Sequence, residues 1–344
     1  MQIISLLLFV IIYVFGVTNL FGTRPDLVSR SLIYFGVGSL LYVVVKKMKL
    51  EIFRSNAFIL FLISLFSLIT VFVIGLEVKG SVRWLDLYAF RFQPSEFFKI
   101  FFIIYLANLF ASSKNTSKNL LFAKSLIAFA IPFILVFQQP DLGTGMIIFS
   151  IYLSMILFSQ IPKNWLVKLF VGLIFLLPIF WFTLHDYQKS RIQSFVNPKV
   201  SVSSTSYNMT QAIIAIGSGG VFGRGLGMGK QSQLYFLPEY HTDFAYSSLV
   251  EQFGLLGGGA VVILYLSLFG TLYFKMYSYA SYNTESERFR FYCLLGFTTF
   301  LVVQTCINLG MNLGILPIAG ITLPFISYGG SSMITFMIGI GLFL

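Results

Sequence analysis

Residues 57–76 read AFILFLISLFSLITVFVIGL, a run without a single charge in which only serine, threonine and glycine interrupt the apolar side chains. A stretch of about 20 apolar residues, coiled as a helix, spans the hydrocarbon core of a bilayer with its backbone groups satisfying one another. Working outward, the same pattern recurs at residues 3–21, 27–45, 95–111, 121–137, 142–160, 165–184, 244–274, 291–311 and 325–344. With 57% hydrophobic and 10% charged residues among 344, the chain has too little polar surface for a soluble protein. It is expected to be an all-α polytopic membrane protein, one integral domain over residues 1–344 with about ten transmembrane helices. Residues 185–243 are expected to form a large extracytoplasmic loop between the seventh and eighth helices. The first run has no basic residue ahead of it and no small-residue cleavage site, which predicts a retained helix rather than a removed signal peptide.

Orientation follows from lysine and arginine, which are retained on the cytoplasmic side during insertion. One set of loops carries Lys46, Lys47, Lys49, Arg54, Lys114, Lys118, Lys163, Lys168, Arg288 and Arg290; the short members of the other carry Arg24, Lys79, Arg83 and Arg91. Both termini are therefore expected in the cytoplasm, and the loops around residues 77–94, 138–141 and 312–324 outside with the insert. A net charge of +11 would suggest nucleic acid in a soluble protein, but here it falls at inner helix ends beside anionic lipid, and a nucleic-acid partner is excluded. Cys293 and Cys306 lie on one expected helix, about 20 Å apart by helical rise, too far to pair. No Cys or His spacing matches a structural zinc site.

With that topology, the ionisable residues that look out of place fall at one membrane level, in four clusters. The first runs Gly80-Ser81-Val82-Arg83-Trp84-Leu85-Asp86-Leu87 and then Arg91-Phe92-Gln93-Pro94-Ser95-Glu96-Phe97-Phe98-Lys99. Pro94 and Ser95 suit the first turn of a helix, which places Glu96 and Lys99 on one face just inside the apolar layer. Such a pair either lines a polar cavity or only fixes helix packing. Trp84 is suited to stacking on a sugar ring, or to anchoring at the interface. The second cluster, Gln138-Gln139-Pro140-Asp141-Leu142-Gly143-Thr144, offers Asp141 as a helix cap or as a charge in the cavity.

The third is the insert AIGSGGVFGRGLGMGKQSQLYFLPEYHTDFA, residues 215–245. Its glycines let backbone N–H groups converge beside Arg224 and Lys230, a nest suited to phosphate or pyrophosphate, although a flexible loop accounts for them equally. His241-Thr242-Asp243-Phe244 then opens the eighth helix, where Asp243 either caps that helix or serves as a base. The fourth, Leu323-Pro324-Phe325-Ile326-Ser327-Tyr328-Gly329-Gly330, breaks the helix at membrane depth, which is tolerated where backbone lines a polar cavity.

Taken in order, GSVRWLDL, RFQPSEFFK, QQPDLGTG, AIGSGG-FG-GLG, QSQLYFLPEYHTDF and NLGILPIAGITLPFISYGGSS closely resemble the motifs of the SEDS family, the shape, elongation, division and sporulation proteins, over nearly the whole chain. The resemblance implies a ten-helix bundle and peptidoglycan glycosyltransferase activity, polymerising lipid II outside the cytoplasmic membrane. It makes Asp243 the family's essential aspartate, Glu96 and Lys99 its SE-x-x-K pair, Asp141 its PDLGT aspartate and Trp84 its RW tryptophan. It further implies a class B penicillin-binding transpeptidase as membrane partner. The wording QSQLYFLPE and NLGMNLGILP is closer to the rod-shape branch than to the division branch. The chain stops at Leu344 within its last apolar run, short of the basic tail usual in the family, as expected of a shortened chain.

The expected reaction passes a glycan from an undecaprenyl pyrophosphate donor to a sugar hydroxyl of lipid II, with Asp243 as general base. Lys99, Arg224, Lys230 or a divalent cation (Mg²⁺ or Mn²⁺) would steady the departing pyrophosphate, with Glu96, Asp141, Trp84, His241 and Ser327 around the substrate. The rival class is transport: a bundle with intramembrane Glu96, Lys99 and Asp141 could instead move the lipid II that the resemblance implies, but that would need polar groups along a path between both faces.

Overall fold

The computed structural model describes residues 2–78, 81–86, 91–113, 116–184, 186–196, 204–281 and 284–344. Lys79, Gly80, Leu87 and Lys114, named above for their loops, lie outside the described residues, as do parts of the 185–243 insert.

Every apolar run becomes a helix. In chain order these are α1 (Gln2–Thr23), α2 (Pro25–Lys47), the short α3 (Leu50–Ser55), α4 (Ala57–Ile74), α5 (Pro94–Ala111), α6 (Lys118–Gln138), α7 (Leu142–Leu157) and α8 (Lys163–Thr183). After the insert come α12 (Ala245–Tyr277), α13 (Glu285–Asn312) and α14 (Gly330–Phe343). Among the described residues α1, α2, α4, α5, α6, α12 and α13 are long and apolar enough to cross a bilayer, and α7 and α14 are shorter apolar helices. The protein is an integral membrane protein.

Helix starts follow local chemistry. Pro94 occupies the first turn of α5, as its fixed φ favours. The Asp141 side chain caps α7 by accepting the Thr144 N–H at 3.1 Å. Thr284 and Glu287 close a capping box at the start of α13.

The helical membrane fold is as expected, and between the helices lies further structure. A small antiparallel sheet comprises β1 (Leu76–Val78), β2 (Ser81–Asp86) and β3 (Arg91–Phe92), with Leu76 opposite Trp84 and Leu85 opposite Phe92. Alternation along β2 sends Arg83 inward, where it is buried, and leaves its neighbour Trp84 half-buried. The insert is likewise not all loop: it contains α9 (Asp186–Val196), α10 (Ser204–Gly219) and α11 (Lys230–Gln233). Polar sequence hid them, because their apolar faces are narrow and pack on other helices rather than on lipid.

Helices α5 and α13 form the centre. Of their most apolar windows, 72% and 61% of residues are buried inside the protein, against at most 39% for the other spanning helices. They pack on each other, with α4 and α7 beside them; α1 and α10 pack on α12, and α2 on α14. The outer helices instead present large apolar side chains outward, such as Phe66, Val73 and Phe175, which suits lipid contact.

One break matters for the site. Within α12, Gly254 adopts φ +71°, and a Cβ there would lie 2.3 Å from the Val221 carbonyl oxygen, so only glycine fits. The break leaves orphan backbone groups, and the chain after α10 supplies their partners. Leu255 and Leu256 donate to Gly220 O and Val221 O at 2.9 and 3.2 Å, while Arg224 and Gly225 donate to Glu251 O and Gln252 O at 2.9 and 3.0 Å.

Candidate active site

Polar side chains inside the bundle converge along α13. Gln304, Asn308 and Asn312 are spaced four residues apart, hence on one face, and all are buried. Each reaches a different part of the chain.

Gln304 meets α5. Lys99 is fully buried; its Nζ donates to Glu96 Oε1 at 2.7 Å and to Gln304 Oε1 at 3.3 Å, and lies 4.3 Å from the centre of the Phe300 ring. A buried ammonium is tolerated only when so surrounded. The second oxygen of Glu96, Oε2, is buried and has no hydrogen-bond partner among the described residues.

Asp141 combines the two roles left open for it. Besides capping α7 and accepting from Thr144 Oγ1 at 2.9 Å, it lies 3.5 Å from Arg83 NH1 and accepts from Gln93 Nε2 at 3.4 Å. Arg83 also donates to the carbonyls of Gln139 and Pro140. The β-sheet, the α6–α7 corner and α5 are thereby tied together.

Asn308 and Asn312 meet the segment before α12. Their Nδ2 groups donate to the Asp243 backbone carbonyl at 3.1 and 3.0 Å. Asn312 Oδ1 accepts from Ser247 N at 3.0 Å and Ser247 Oγ at 2.7 Å, fixing the first turn of α12. The cap position of that helix is Phe244, and Asp243, one residue before it, is half-buried.

The same amides hold the irregular chain between α13 and α14. Asn308 Nδ2 donates to Ile321 O at 2.7 Å and Gln304 Nε2 to Thr322 O at 2.9 Å, so backbone without helix partners is satisfied at membrane depth. Ser327 Oγ donates to Thr242 O and accepts from Leu323 N at 2.8 Å, and Tyr328 N donates to His241 O at 2.8 Å. Ser327 and His241 thus adjoin Asp243, with the Ser327 hydroxyl engaged in locking two loops. Burial holds the Tyr240 hydroxyl above the ordinary tyrosine value, so it stays protonated.

The glycine nest does not form as expected. The N–H groups of Gly223, Arg224, Gly225 and Gly227 all go to acceptors within the protein, the last to Gln252 Oε1 at 2.9 Å. Arg224 and Lys230 point outward, exposed, and their side chains make no hydrogen bond or ion pair among the described residues. Trp84 lies on β2 beside Arg83 and is half-buried.

Sequence reasoning missed four residues. Gln304, Asn308 and Asn312 carried a readable signal, amides repeating every four residues inside an apolar helix. Glu251 is fully buried in α12; its carboxylate accepts from Gln231 N, Ser232 N and Ser232 Oγ at 2.8, 3.2 and 2.7 Å, anchoring α11. Among the described residues no three His, Cys, Asp or Glu side chains gather as a metal site, and Lys99 and Arg83 already lie against the seam's carboxylates. A divalent ion held wholly by these side chains does not fit.

A multi-helix membrane protein with a buried seam of charges and amides at the mouth of its bundle is the class that fold and site define. Along residues 1–344 the chain matches the FtsW, RodA and SpoVE family, described as cell cycle proteins. It belongs to that family. It is 34% identical over 330 residues to the probable peptidoglycan glycosyltransferase FtsW of Hydrogenovibrio crunogenus, covering 94% of this chain and 82% of that one. It is also 34% identical over 329 residues to the peptidoglycan glycosyltransferase MrdB of Escherichia coli K12, covering 93% and 85%. Equal identity to both leaves the branch undivided. Among solved structures, a chain described under "Structural coordination of polymerization and crosslinking by a peptidoglycan synthase complex" matches with a TM-score of 0.81 and 26% identity over 98% of this chain and 95% of that one.

Proposed function

We propose that this protein is a peptidoglycan glycosyltransferase that polymerises lipid II into glycan strands at the outer face of the bacterial cytoplasmic membrane. Ten crossings with both termini in the cytoplasm complete the reading. The observation that carries it is the shared face of α13: Asn308 and Asn312 hold the Asp243 segment while Gln304, one turn away, holds Lys99. In this reading the carboxylate carried by the Asp243 segment and the Lys99 ammonium act from two sides of that face, as transfer to a hydroxyl requires.

In this mechanism the Asp243 carboxylate takes the proton of the acceptor's sugar hydroxyl as its oxygen attacks the donor's anomeric carbon. The bond from that carbon to pyrophosphate breaks, its electron pair leaves with the pyrophosphate, and the configuration inverts. Lys99 opposes the charge growing on the leaving group, and Glu96 orients that ammonium while offering Oε2 to a substrate hydroxyl or amide. Asp141 keeps the Arg83 side of the cavity in place, and Trp84, His241 and Ser327 bound the substrate's path. A single displacement needs no enzyme nucleophile. No step here runs through a divalent cation such as Mg²⁺ or Mn²⁺.

The wording QSQLYFLPE and NLGMNLGILP supports assignment to the rod-shape branch, hence to cell elongation. The solved synthase complex, which joins polymerisation to crosslinking, supports a class B penicillin-binding transpeptidase as partner. The test is glycan formation from purified lipid II by the solubilised protein and its Asp243→Asn variant, with the transpeptidase present. The variant is expected to fold normally and to lose at least about 10²-fold in rate. Equal polymer from both would remove Asp243 from the mechanism, and polymer from neither would turn the reading toward transport.

A further inference from the structure

The turn between α10 and α11 is unusual for a polar, glycine-rich segment. It exposes large apolar side chains: Phe222 is 83% and Met228 70% exposed, with Val221 and Leu226 also exposed. Water-facing turns seldom gather such a patch, which marks a surface covered by something apolar. Its backbone is also prepared for a dry setting, since the N–H groups of Gly223, Arg224, Gly225, Gly227 and Met228 are all satisfied inside the protein.

The turn's height follows from α1. That helix has 22 residues, about 33 Å of rise, close to the thickness of the hydrocarbon core. Its last turn touches the glycine segment: Gln233 Nε2 donates to Gly22 O at 2.6 Å, and a Cβ on Gly22 would lie 2.9 Å from Gly227 N. The turn therefore stands at the end of α1 where that helix would leave the membrane, one residue on from Phe21, an exposed apolar side chain of the same helix. Arg224 and Lys230, both exposed, flank it.

We infer that the glycine-rich turn is a membrane-interface anchor, with Val221, Phe222, Leu226 and Met228 set into the acyl-chain boundary and Arg224 and Lys230 on lipid phosphates. Continuity with the lipid-facing side of α1 and the charge of the two flanking cations select lipid as the occupant. The anchor would hold the segment leading to Asp243 at the height where a lipid-borne substrate presents its headgroup. The inference goes beyond the catalytic reading and does not depend on it, because its test reads depth rather than activity.

In a Cys293→Ala, Cys306→Ser background, a nitroxide is attached to Phe222→Cys, to Met228→Cys, or to Lys118→Cys as an exposed reference. Each full-length protein is placed in phosphatidylglycerol–phosphatidylethanolamine vesicles, and collision with oxygen is compared with collision with a water-soluble nickel chelate. Melting temperature and monodispersity of each variant are checked first. The oxygen-to-nickel ratio is expected to be severalfold higher at positions 222 and 228 than at 118. A ratio equal to that at 118 would place the turn in water, and exclusion of both colliders would mean protein covers the tip; either result overturns the anchor.

Discussion

The seam along α13 and the glycine-rich turn after α10 both bring cations and polar atoms to the same end of the molecule, yet they arrange them oppositely. In the seam the charges face inward: Lys99, Glu96, Asp141 and Arg83 are all buried, and amides bridge them to loops. In the turn the backbone faces inward and the cations outward, with Arg224 and Lys230 exposed and the N–H groups closed on α12. Glycine density there serves close packing: a Cβ on Gly219 would meet Val250 O at 2.2 Å and one on Gly223 would meet Gln252 O at 2.1 Å. Glycine density with flanking cations along a sequence therefore does not by itself make a phosphate nest. Charges removed from solvent, as in the seam, act through a stronger field than exposed ones.

The sharpest way to break this contrast is to remove Lys99. Lys99→Met leaves Glu96 buried without its partner, a change expected to cost about 3–5 kcal/mol of stability and to abolish polymer formation. The Lys99→Met, Glu96→Gln double variant should recover most of the melting temperature while staying inactive, because the neutral pair lacks the cation. Normal stability in the single variant would show that the seam is not a coupled ion pair.

A smaller effect is expected one turn along. Asn308→Leu strips the side-chain donor from the Ile321 carbonyl, at a cost of about 1–3 kcal/mol if left unpaired, and leaves the Asp243 carbonyl with Asn312 alone. Since the base is displaced rather than removed, kcat for glycan formation should fall while KM for lipid II changes little. A change confined to KM would assign Asn308 to substrate binding instead.

The turn side of the comparison predicts the mildest outcome. Glu251→Gln keeps one acceptor oxygen for Gln231 N and exchanges the other for a donor facing Ser232, so a loss of about 1 kcal/mol is expected. Protease cleavage within residues 220–236 should quicken while melting of the helical bundle hardly moves. If cleavage is unchanged, Glu251 does not hold the insert.

Much of the fold was legible before any coordinates. Each of the ten apolar runs is a helix, and Pro94 and Asp141 start α5 and α7 as their chemistry suggests. The three strands were not legible, since β1 and β3 have only three and two residues, too few to show alternation. For the site, Glu96 with Lys99 was readable because three residues along a helix is a local relation. Arg83 with Asp141 was not, being a relation across 58 positions between a strand and a helix cap.

By itself the sequence determined the bilayer as solvent, the helices and the family, because length, apolarity and capping act over one helix at a time. Only the tertiary structure decided that Gln304, 205 positions from Lys99, bonds to it, and that Asn308, 65 positions from Asp243, holds its carbonyl. It also turned the glycine-rich stretch from a presumed phosphate cradle into a packed turn. The reason is physical: in a bilayer interior each buried polar group must find a partner within about 3 Å. Which partner is nearest depends on how helices distant in the chain pack, and no local rule of the sequence carries that.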